Sequence, residues 1–189
     1  MYNTNQFRKG LKIEIGGEPF IITDFQHVKP GKGNAFTRTK MKSLISGLNQ
    51  EKTFKSGEKV GKPDLEERNM EFLYKDELYN FMDLTTYEQI GIPEENLGDA
   101  PKYLKDNTEV SVLFFNDRAI SIELPIFINF KIEQCDPGIR GDTVSSGSTK
   151  PATLETGTVV QVPLFVEEGE WIKIDTRTGD YVERVKAPK

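Results

Sequence analysis

The fold class of this chain is decided by residues 11–22, which read LKIEIGGEPFII. Apolar and charged residues alternate from Leu11 to Ile15, and this period of two is typical of a β-strand with one buried face. Gly16-Gly17 provides a two-residue turn of the kind that joins hairpin strands, because glycine tolerates positive φ angles. The apolar residues resume from Pro19 to Ile22, so the stretch predicts a β-hairpin.

Short strands bounded by turns recur along the whole chain. Residues 23–28 are expected to lead from the first hairpin into a loop, and residues 85–105 are expected to be helical or irregular. A long loop rich in Gly, Ser, Thr and Pro is expected from Asp136 to Ala152. Further strands are predicted at residues 35–45, 51–55, 70–74, 78–82, 109–115, 119–124, 127–132, 158–166, 171–175 and 180–185. This pattern predicts an all-β protein made of small barrels of the oligonucleotide-binding type.

Charge divides the 189 residues into three parts. Residues 1–63 carry 12 Lys+Arg against 5 Asp+Glu, residues 64–127 carry 5 against 15, and residues 128–189 carry 8 against 10. A polar segment rich in Gly and Pro, residues 56–63, precedes the change of sign. We therefore predict three domains with the bounds 1–63, 64–127 and 128–189. The cationic first part suits a local contact with an RNA backbone, although a charge block is also typical of a plain solvated surface.

Composition argues against an enzyme or a metalloprotein. One histidine, His27, and one cysteine, Cys135, are too few for a His/Cys metal cluster or an internal disulfide. No G-x-S-x-G or G-x-x-x-x-G-K-[ST] motif is present. The N-terminus is polar, and no apolar run approaches the length of a membrane span. We expect a soluble, cytoplasmic protein without catalytic residues, metal or cofactor.

A loop of six residues follows the first predicted strands: Lys29, Pro30, Gly31, Lys32, Gly33 and Asn34. Pro30 stiffens the approach, while Gly31 and Gly33 permit positive φ and add no side chain. Lys32 is then the only long side chain at the tip, and its ammonium group can reach phosphate or sugar oxygens in a narrow channel. Pro-Gly and Gly-Lys-Gly are also ordinary turn chemistry, and on these residues alone an ordinary turn is the better interpretation.

Several motifs in a fixed order resemble bacterial elongation factor P over essentially the whole chain. They are FRKGL at 7–11, VKPGKG at 28–33 followed by AF at 35–36, EKTFK at 51–55, DPGIRGDT at 136–143, KPATL at 150–154 and YVERV at 181–185. One such motif is weak, whereas all of them in order are specific. The resemblance implies an L-shaped molecule, similar in outline to tRNA, with an N-terminal KOW/SH3-like barrel followed by two OB-fold barrels.

The resemblance also implies a function. Members of the family bind the ribosome between the P and E sites and relieve stalling at consecutive prolines, and their N-terminal loop reaches toward the acceptor end of the P-site peptidyl-tRNA. Lys32 occupies the position of a lysine that carries a post-translational extension in many members. The extension is β-lysyl in some members and aminopentanol in others, and some act with the bare lysine. A β-lysyl type is expected here.

Basic residues near the loop are candidates for facing RNA. Arg38, Lys40 and Lys42 alternate along one predicted strand, and Arg8 lies near the N-terminus. The expected partners are rRNA and ribosomal proteins, the P-site peptidyl-tRNA, and the enzymes that modify Lys32. No contact with a membrane is expected, and the chain is expected to be a monomer.

Two family motifs fall in the last third of the chain. The Gly-Asp-Thr motif, which the family associates with the E-site codon region, falls on Gly141, Asp142 and Thr143. The Tyr/Arg pair, which the family associates with the small subunit, falls on Tyr181 and Arg184. Plainer interpretations stay open for all of them, since the loop motif could form an Asx-type turn, the tyrosine could belong to the core, and the arginine could be a solvated strand residue.

Alternative functions stay open beside this one. A generic OB-fold protein that binds single-stranded RNA or DNA would show basic grooves with stacked aromatics, which the acidic residues 64–127 argue against. An elongation-factor-P-like paralogue departs from the lysine-tipped loop and the Gly-Asp-Thr motif, and this chain keeps both. The archaeal and eukaryotic relative lacks the third domain, which this chain has.

Overall fold

Strands form nearly all of the regular structure of this chain. The computed structural model describes residues 1–137 and 148–188. Helical structure within those ranges is confined to short 3₁₀ turns at Thr4–Gln6, Glu94–Asn96 and Ala100–Lys102. The prediction of an all-β protein with almost no helix is therefore confirmed.

The N-terminal part forms a four-stranded antiparallel sheet. The strands of this part of the chain are β1 (Tyr2–Asn3), β2 (Lys12–Ile15), β3 (Glu18–Val28), β4 (Phe36–Ser43), β5 (Asn49–Lys55) and β6 (Lys59–Val60). The sheet has the order β2-β3-β4-β5, and β1 pairs with β6. Burial alternates along β4, so the face opposite its basic residues lies in the core. Phe7 and Phe54 meet edge to face in that core, with ring centroids 5.3 Å apart.

A second sheet has five strands. They are β7 (Leu65–Lys75), β8 (Tyr79–Asp83), β9 (Gln89–Ile92), β10 (Glu109–Phe115) and β11 (Arg118–Glu123). Their order is β11-β10-β7-β8-β9. The predicted turn between β10 and β11 is present, and both of its residues have positive φ, 48° at Asn116 and 61° at Asp117. This combination suits the twist of a two-residue hairpin turn.

Strand β9 corrects the expectation of a helical or irregular stretch over residues 85–105. Gly91 interrupts the apolar pattern of this short strand and so hides it in the sequence. The structure gives the reason for the glycine, since a Cβ at Gly91 would lie 2.6 Å from Cδ1 of Leu78. Glycine therefore accommodates the close approach of the Leu78 side chain here, and it does not mark the end of a strand.

The third sheet also has five strands. They are β12 (Phe127–Cys135), β13 (Thr149–Leu154), β14 (Val159–Pro163), β15 (Trp171–Asp175) and β16 (Asp180–Val185). Their order is β14-β13-β12-β15-β16. The core of this sheet is mostly aliphatic and contains the fully buried ring of Phe130. The last hairpin turns at residues 176–179, as predicted.

Strand β13 corrects the expectation of a loop that reaches Ala152. The strand begins at Thr149 and contains Pro151, a residue that argues against a central strand because it lacks a backbone N–H. Pro151 lies opposite Gln161 of β14, whereas the pairing of β13 with β12 starts only at Ala152. The missing N–H therefore removes no bond between β13 and β12.

The chain forms two compact units. One comprises Met1–Arg68 with Val112–Ser121, and the other comprises Asn69–Ser111 with Ile122–Lys189. The domain boundaries inferred from charge and from Gly/Pro content stay a prediction.

Within the second unit, the segment that follows β9 shares a core with the third sheet. Tyr103 belongs to the buried cluster of that sheet, and its ring centroid lies 6.2 Å from that of Phe130. Lys105 Nζ donates to the Asn129 carbonyl oxygen at 2.6 Å and lies 4.9 Å from the centroid of the Trp171 ring. Tyr103 and Lys105 thus attach the segment that follows β9 to strand β12 and to Trp171 of β15.

Candidate functional site

The frame of the candidate loop is the β3–β4 hairpin. Strand β3 continues through residues 23–28, which were expected only to lead into the loop. Its pairing with β4 is irregular between Ile22 and Asp24 and then runs on to Val28 opposite Phe36. The loop therefore stands at the end of two long paired strands.

The base of the loop is held by side chains and backbone. His27 Nδ1 and Thr37 Oγ1 share a hydrogen bond of 2.8 Å across the hairpin, and Thr37 is buried. The ring of Phe25 meets the His27 ring edge to face at 5.3 Å. The backbone N–H of Ser56 donates to the carbonyl of Ala35 at 3.0 Å, so the segment after β5 also holds the end of the loop.

The loop itself is exposed from Lys29 to Asn34. Gly33 has a φ of 112°, a backbone conformation that side chains with a Cβ rarely adopt. Gly31 is not among the residues with positive φ, and a Cβ there would meet nothing within 4 Å. The expectation for the two glycines is thus confirmed at Gly33 alone.

Lys32 carries a free amine. In the described part of the chain its Nζ has no hydrogen bond and no ion pair. The residues beside it, Gly31 and Gly33, have no side chain, so Lys32 is the only long side chain at the tip. Such an ammonium group is available to an acceptor on a partner or to a modifying enzyme.

The basic candidates on β4 share a face with carboxylates. Arg38, Lys40 and Lys42 are all exposed on one side of the strand, as predicted. In the register of the sheet, Lys40 lies between Asp24 of β3 and Glu51 of β5. Arg38 Nε lies 3.7 Å from Glu51 Oε1. The face therefore carries mixed charge, which disfavours indiscriminate binding of polyanions.

Asp24 has a second cationic neighbour, Lys9. Lys9 Nζ lies 3.1 Å from Asp24 Oδ1, and this hydrogen-bonded ion pair lowers the pKa of Asp24 below its ordinary value. Arg8, the remaining basic candidate, is exposed but lies ahead of β2 and so outside the β4 face.

The C-terminal candidates lie in two different situations. Gly141, Asp142 and Thr143 lie outside the described residues. Tyr181 is half-buried against the core of the third sheet, and burial raises the pKa of its hydroxyl although the nearby Arg184 partly offsets this.

Arg184 is exposed and held in place from two sides. Its Nη1 donates to Glu170 Oε1 at 3.0 Å, and its guanidinium carbon lies 5.1 Å from the centroid of the Phe165 ring. As far as contacts within the chain go, Tyr181 fits the interpretation as a core residue, and Arg184 fits the interpretation as a solvated strand residue.

Sequence reasoning missed Tyr87, an aromatic residue that is 71% exposed and has a φ of 62°. Its neighbours Thr85, Thr86 and Glu88 are ordinary polar turn residues, so composition alone gives no signal for it. The residues described contain no group of three or more His, Cys, Asp or Glu that could hold a metal. No helix in the described ranges is both long and apolar enough to cross a membrane.

Three protein-family models match the chain in succession. Residues 3–60 match the elongation factor P KOW-like domain, residues 65–122 match the elongation factor P OB domain, and residues 128–184 match the elongation factor P C-terminal domain. Together these matches cover most of the chain.

Curated relatives are similar over nearly their whole length. Elongation factor P of Bdellovibrio bacteriovorus is 55% identical over 186 residues, which is 98% of both chains. Elongation factor P of Desulfosudis oleivorans is 53% identical over 187 residues, which is 98% of this chain and 100% of that protein.

Two solved structures are similar in fold. One is a eukaryotic-type translation initiation factor 5A from Methanococcus jannaschii, with 25% identity, a TM-score of 0.51, and coverage of 66% of this chain and 92% of its own. The other, a protein of the same factor family from Naegleria fowleri, has 16% identity, a TM-score of 0.52, and coverage of 65% and 96%. The KOW-like and OB nature of the barrels is thereby confirmed.

Proposed function

The chain belongs to the elongation factor P family of translation factors, and from this premise we propose that it binds the ribosome between the P and E sites. There it stimulates peptide-bond formation and relieves stalling at consecutive prolines. The chain acts as a cytoplasmic monomer and not as an enzyme, because the ribosome performs the reaction. The three domains have the bounds 1–63, 64–127 and 128–189.

The observation that carries this proposal is the free Lys32 amine at the tip of an exposed loop. Its loop stands at the end of the paired strands β3 and β4, whose last pairs are braced by the His27–Thr37 hydrogen bond. An amine held in this way can donate to the phosphate and sugar oxygens of the P-site tRNA end. Holding the peptidyl ester in a reactive geometry offsets the entropy of alignment, and no proton transfer by the chain is needed.

The proposal includes a modified form of Lys32. The Lys32 side chain is exposed, and its amine has no hydrogen bond or ion pair within the described residues. A β-lysyl-type extension adds length and hydrogen-bond donors at the point that approaches the tRNA end. The lysine-modifying enzymes are thus partners of this chain.

Other contacts of the proposed complex are secondary. Arg38, Lys40 and Lys42, with Arg8, face ribosomal RNA, and the interleaved carboxylates favour one register over nonspecific binding. The Gly-Asp-Thr motif of Gly141, Asp142 and Thr143 faces the E-site codon region. Tyr181 and Arg184 contact the small subunit through the edge that they present at β16.

The experiment is translation of a Pro-Pro-Pro reporter in a reconstituted system from the native host. Lys32→Ala removes the amine and is expected to lose most of the stimulation. The melting temperature Tm is expected to stay unchanged, because the exposed Lys32 has no hydrogen bond or ion pair within the described chain. Lys32→Arg is the matched variant, since it keeps the charge but not the amine that is extended. Full synthesis with Lys32→Ala contradicts the proposal.

The same system separates the alternative of a generic single-strand binder. Tight, salt-sensitive binding to free oligonucleotides without binding to ribosomes supports that alternative. Intact-mass measurement of the protein from its native host reports whether Lys32 is extended and by what mass.

A further inference from the structure

One six-residue turn occurs once in each of the three larger sheets, at residues 43–48, 83–88 and 175–180. In each copy the backbone N–H of the fifth residue donates to the carbonyl of the first. The three bonds are Gly47 to Ser43 at 3.1 Å, Tyr87 to Asp83 at 2.8 Å and Gly179 to Asp175 at 2.7 Å. The three copies therefore have the same backbone design.

The first residue of each copy locks the turn with its side chain. Ser43 Oγ accepts from the backbone N–H of Ser46 at 3.0 Å, and Asp175 Oδ1 accepts from that of Arg177 at 2.9 Å. Asp83 Oδ1, which is buried, accepts two backbone N–H groups, at 2.7 and 3.0 Å. Such side-chain acceptors are the usual means by which Asp and Ser fix tight turns.

The fifth residue of each copy has a left-handed backbone. The φ angles are 72° at Gly47, 62° at Tyr87 and 80° at Gly179. Glycine adopts this conformation freely, whereas a side chain with a Cβ disfavours it, and a bulky aromatic residue there is an outlier. The middle copy thus keeps an unfavourable residue where its two counterparts have the favourable one.

The folded chain gains nothing visible from the Tyr87 ring. The side chain is 71% exposed, and no ring contact, cation contact or side-chain hydrogen bond of Tyr87 exists within the described residues. An outlier that brings no internal contact is a reason to look for a role outside the chain. Tyrosine is also a residue type that is enriched where protein surfaces meet partners.

The charge around Tyr87 indicates the chemistry of that partner. Residues 76–101 contain no Lys or Arg. They contain seven carboxylates, of which Glu94 pairs with Lys75, Asp99 pairs with Lys102 and Asp83 is buried in the turn. The exposed carboxylates that remain are Asp76, Glu77, Glu88 and Glu95. A phosphate backbone is repelled by such a segment, whereas a guanidinium group is attracted both by the carboxylates and by the face of the ring.

We propose that Tyr87 is a docking residue for an arginine-bearing segment of a ribosomal protein, with the arginine stacked on the exposed ring. The inference rests on the proposed ribosome-binding function and adds the class of partner that the turn contacts. In this arrangement the locked turn holds the exposed ring in place, and the exposed carboxylates of residues 76–101, Glu88 beside the ring in sequence among them, attract the cationic partner.

The first test compares variants at position 87 for ribosome affinity and for Tm. Tyr87→Asn relieves the left-handed strain, since asparagine tolerates this conformation, and is expected to raise Tm by about 2 °C. The same variant is expected to weaken binding to ribosomes by about tenfold, because the cation–ring contact is lost. Tyr87→Phe keeps the ring and is expected to bind like the wild type.

A control comes from the same sheet. Tyr74 is 49% exposed on strand β7, so Tyr74→Ala removes an exposed ring that is not part of the turn. It is expected to leave ribosome affinity unchanged. A fall in Tm together with affinity in Tyr87→Asn assigns the ring a structural role and overturns the proposal, as does wild-type affinity in that variant.

The second test identifies the partner. The photoreactive residue p-benzoylphenylalanine is placed at position 87 of the full chain, which is then bound to purified ribosomes and irradiated. A cross-link to an arginine-containing peptide of a ribosomal protein supports the proposal, whereas a cross-link to rRNA, or none despite normal binding, overturns it. Failure of the wild-type chain to bind ribosomes at all refutes the proposed function instead, so the two failures are distinguishable.

Discussion

The Lys32 loop and the Tyr87 turn are both exposed hairpin tips, but they are built in opposite ways. Within the described residues no backbone hydrogen bond closes residues 29–34. The loop is braced at its base, by the His27–Thr37 hydrogen bond and by the backbone bond from Ser56 to Ala35. The Tyr87 turn is closed by the backbone bond to Asp83 and locked by the buried Asp83 carboxylate.

The two tips therefore differ in how strongly the backbone at the tip is constrained. The Lys32 loop leaves its tip unconstrained, which suits a side chain that must be extended by an enzyme and then fitted to a tRNA end. The Tyr87 turn fixes its backbone in a conformation that its own residue disfavours, which suits a ring held ready for a partner. Variants that unlock one tip or stiffen the other test whether the contrast is real.

The largest effect is expected from unlocking the Tyr87 turn. Asp83→Ala leaves two backbone N–H groups without their acceptor and is expected to lower the free energy of unfolding by about 2–3 kcal/mol. Thermal unfolding followed by circular dichroism measures the change. Asp106→Ala is the matched control, because Asp106 is exposed and has no polar contact in the described chain. Equal Tm values for the two variants show that the turn is not locked by Asp83.

A smaller effect is expected from stiffening the Lys32 loop. Gly33→Ala forces a side chain into a φ of 112° and is expected to lower the free energy of unfolding by about 1–2 kcal/mol. Gly31→Ala meets open space at an ordinary φ and is expected to leave stability unchanged. Chemical denaturation of both variants measures the difference. Equal loss in both contradicts the assignment of the strained conformation to Gly33.

A third variant pair tests the brace below the loop. Thr37→Val removes the hydrogen bond to His27 and is expected to lower the free energy of unfolding by about 1 kcal/mol. Thr39→Val is the matched control on the same strand face. Thr39 is buried and its Oγ1 has no partner within the chain described, so its replacement is expected to be neutral or stabilising. Denaturant midpoints measure both, and a reversed order refutes the brace.

The smallest effect is expected from pH, at the third copy of the turn. The Arg177 guanidinium, together with the Arg177 backbone N–H, lowers the pKa of Asp175. Because the pKa is lower in the folded chain than the ordinary value of about 3.9, the stabilisation is present above that pH and is lost as pH falls below it. The Tm of the wild type is expected to decline below pH 4. Asp175→Asn is expected to reduce this decline, whereas the control variant Asp180→Asn is expected to retain it. An unaltered decline in Asp175→Asn contradicts this pairing.

The sequence predicted those parts of the molecule that depend on local alternation. Strand β4 follows from the period of two in residues 36–43, which also assigns Arg38, Lys40 and Lys42 to one exposed face. It could not show that Asp24 and Glu51 would lie beside them, because cross-strand neighbours depend on register.

The features that the sequence failed to predict also have physical causes. Gly91 and Pro151 are read as breakers in isolation, yet the first avoids Leu78 and the second lies where β12 does not pair. The left-handed φ of Tyr87 is invisible in a sequence because tyrosine gives no sign of that conformation. The role expected for Lys32 came from the ordered family motifs, since its own residues also fit an ordinary turn.

The burial of Tyr103 in the core of the third sheet also bears on how the chain is synthesised. Translation releases the N-terminus first, so Tyr103 leaves the exit tunnel long before the strands that cover it, β12 and β15. The growing chain therefore carries an uncovered aromatic residue until its final hairpin has emerged, and chaperones and proteases can act on it during that interval. A chain truncated before this hairpin is expected to leave Tyr103 uncovered and accessible to proteases.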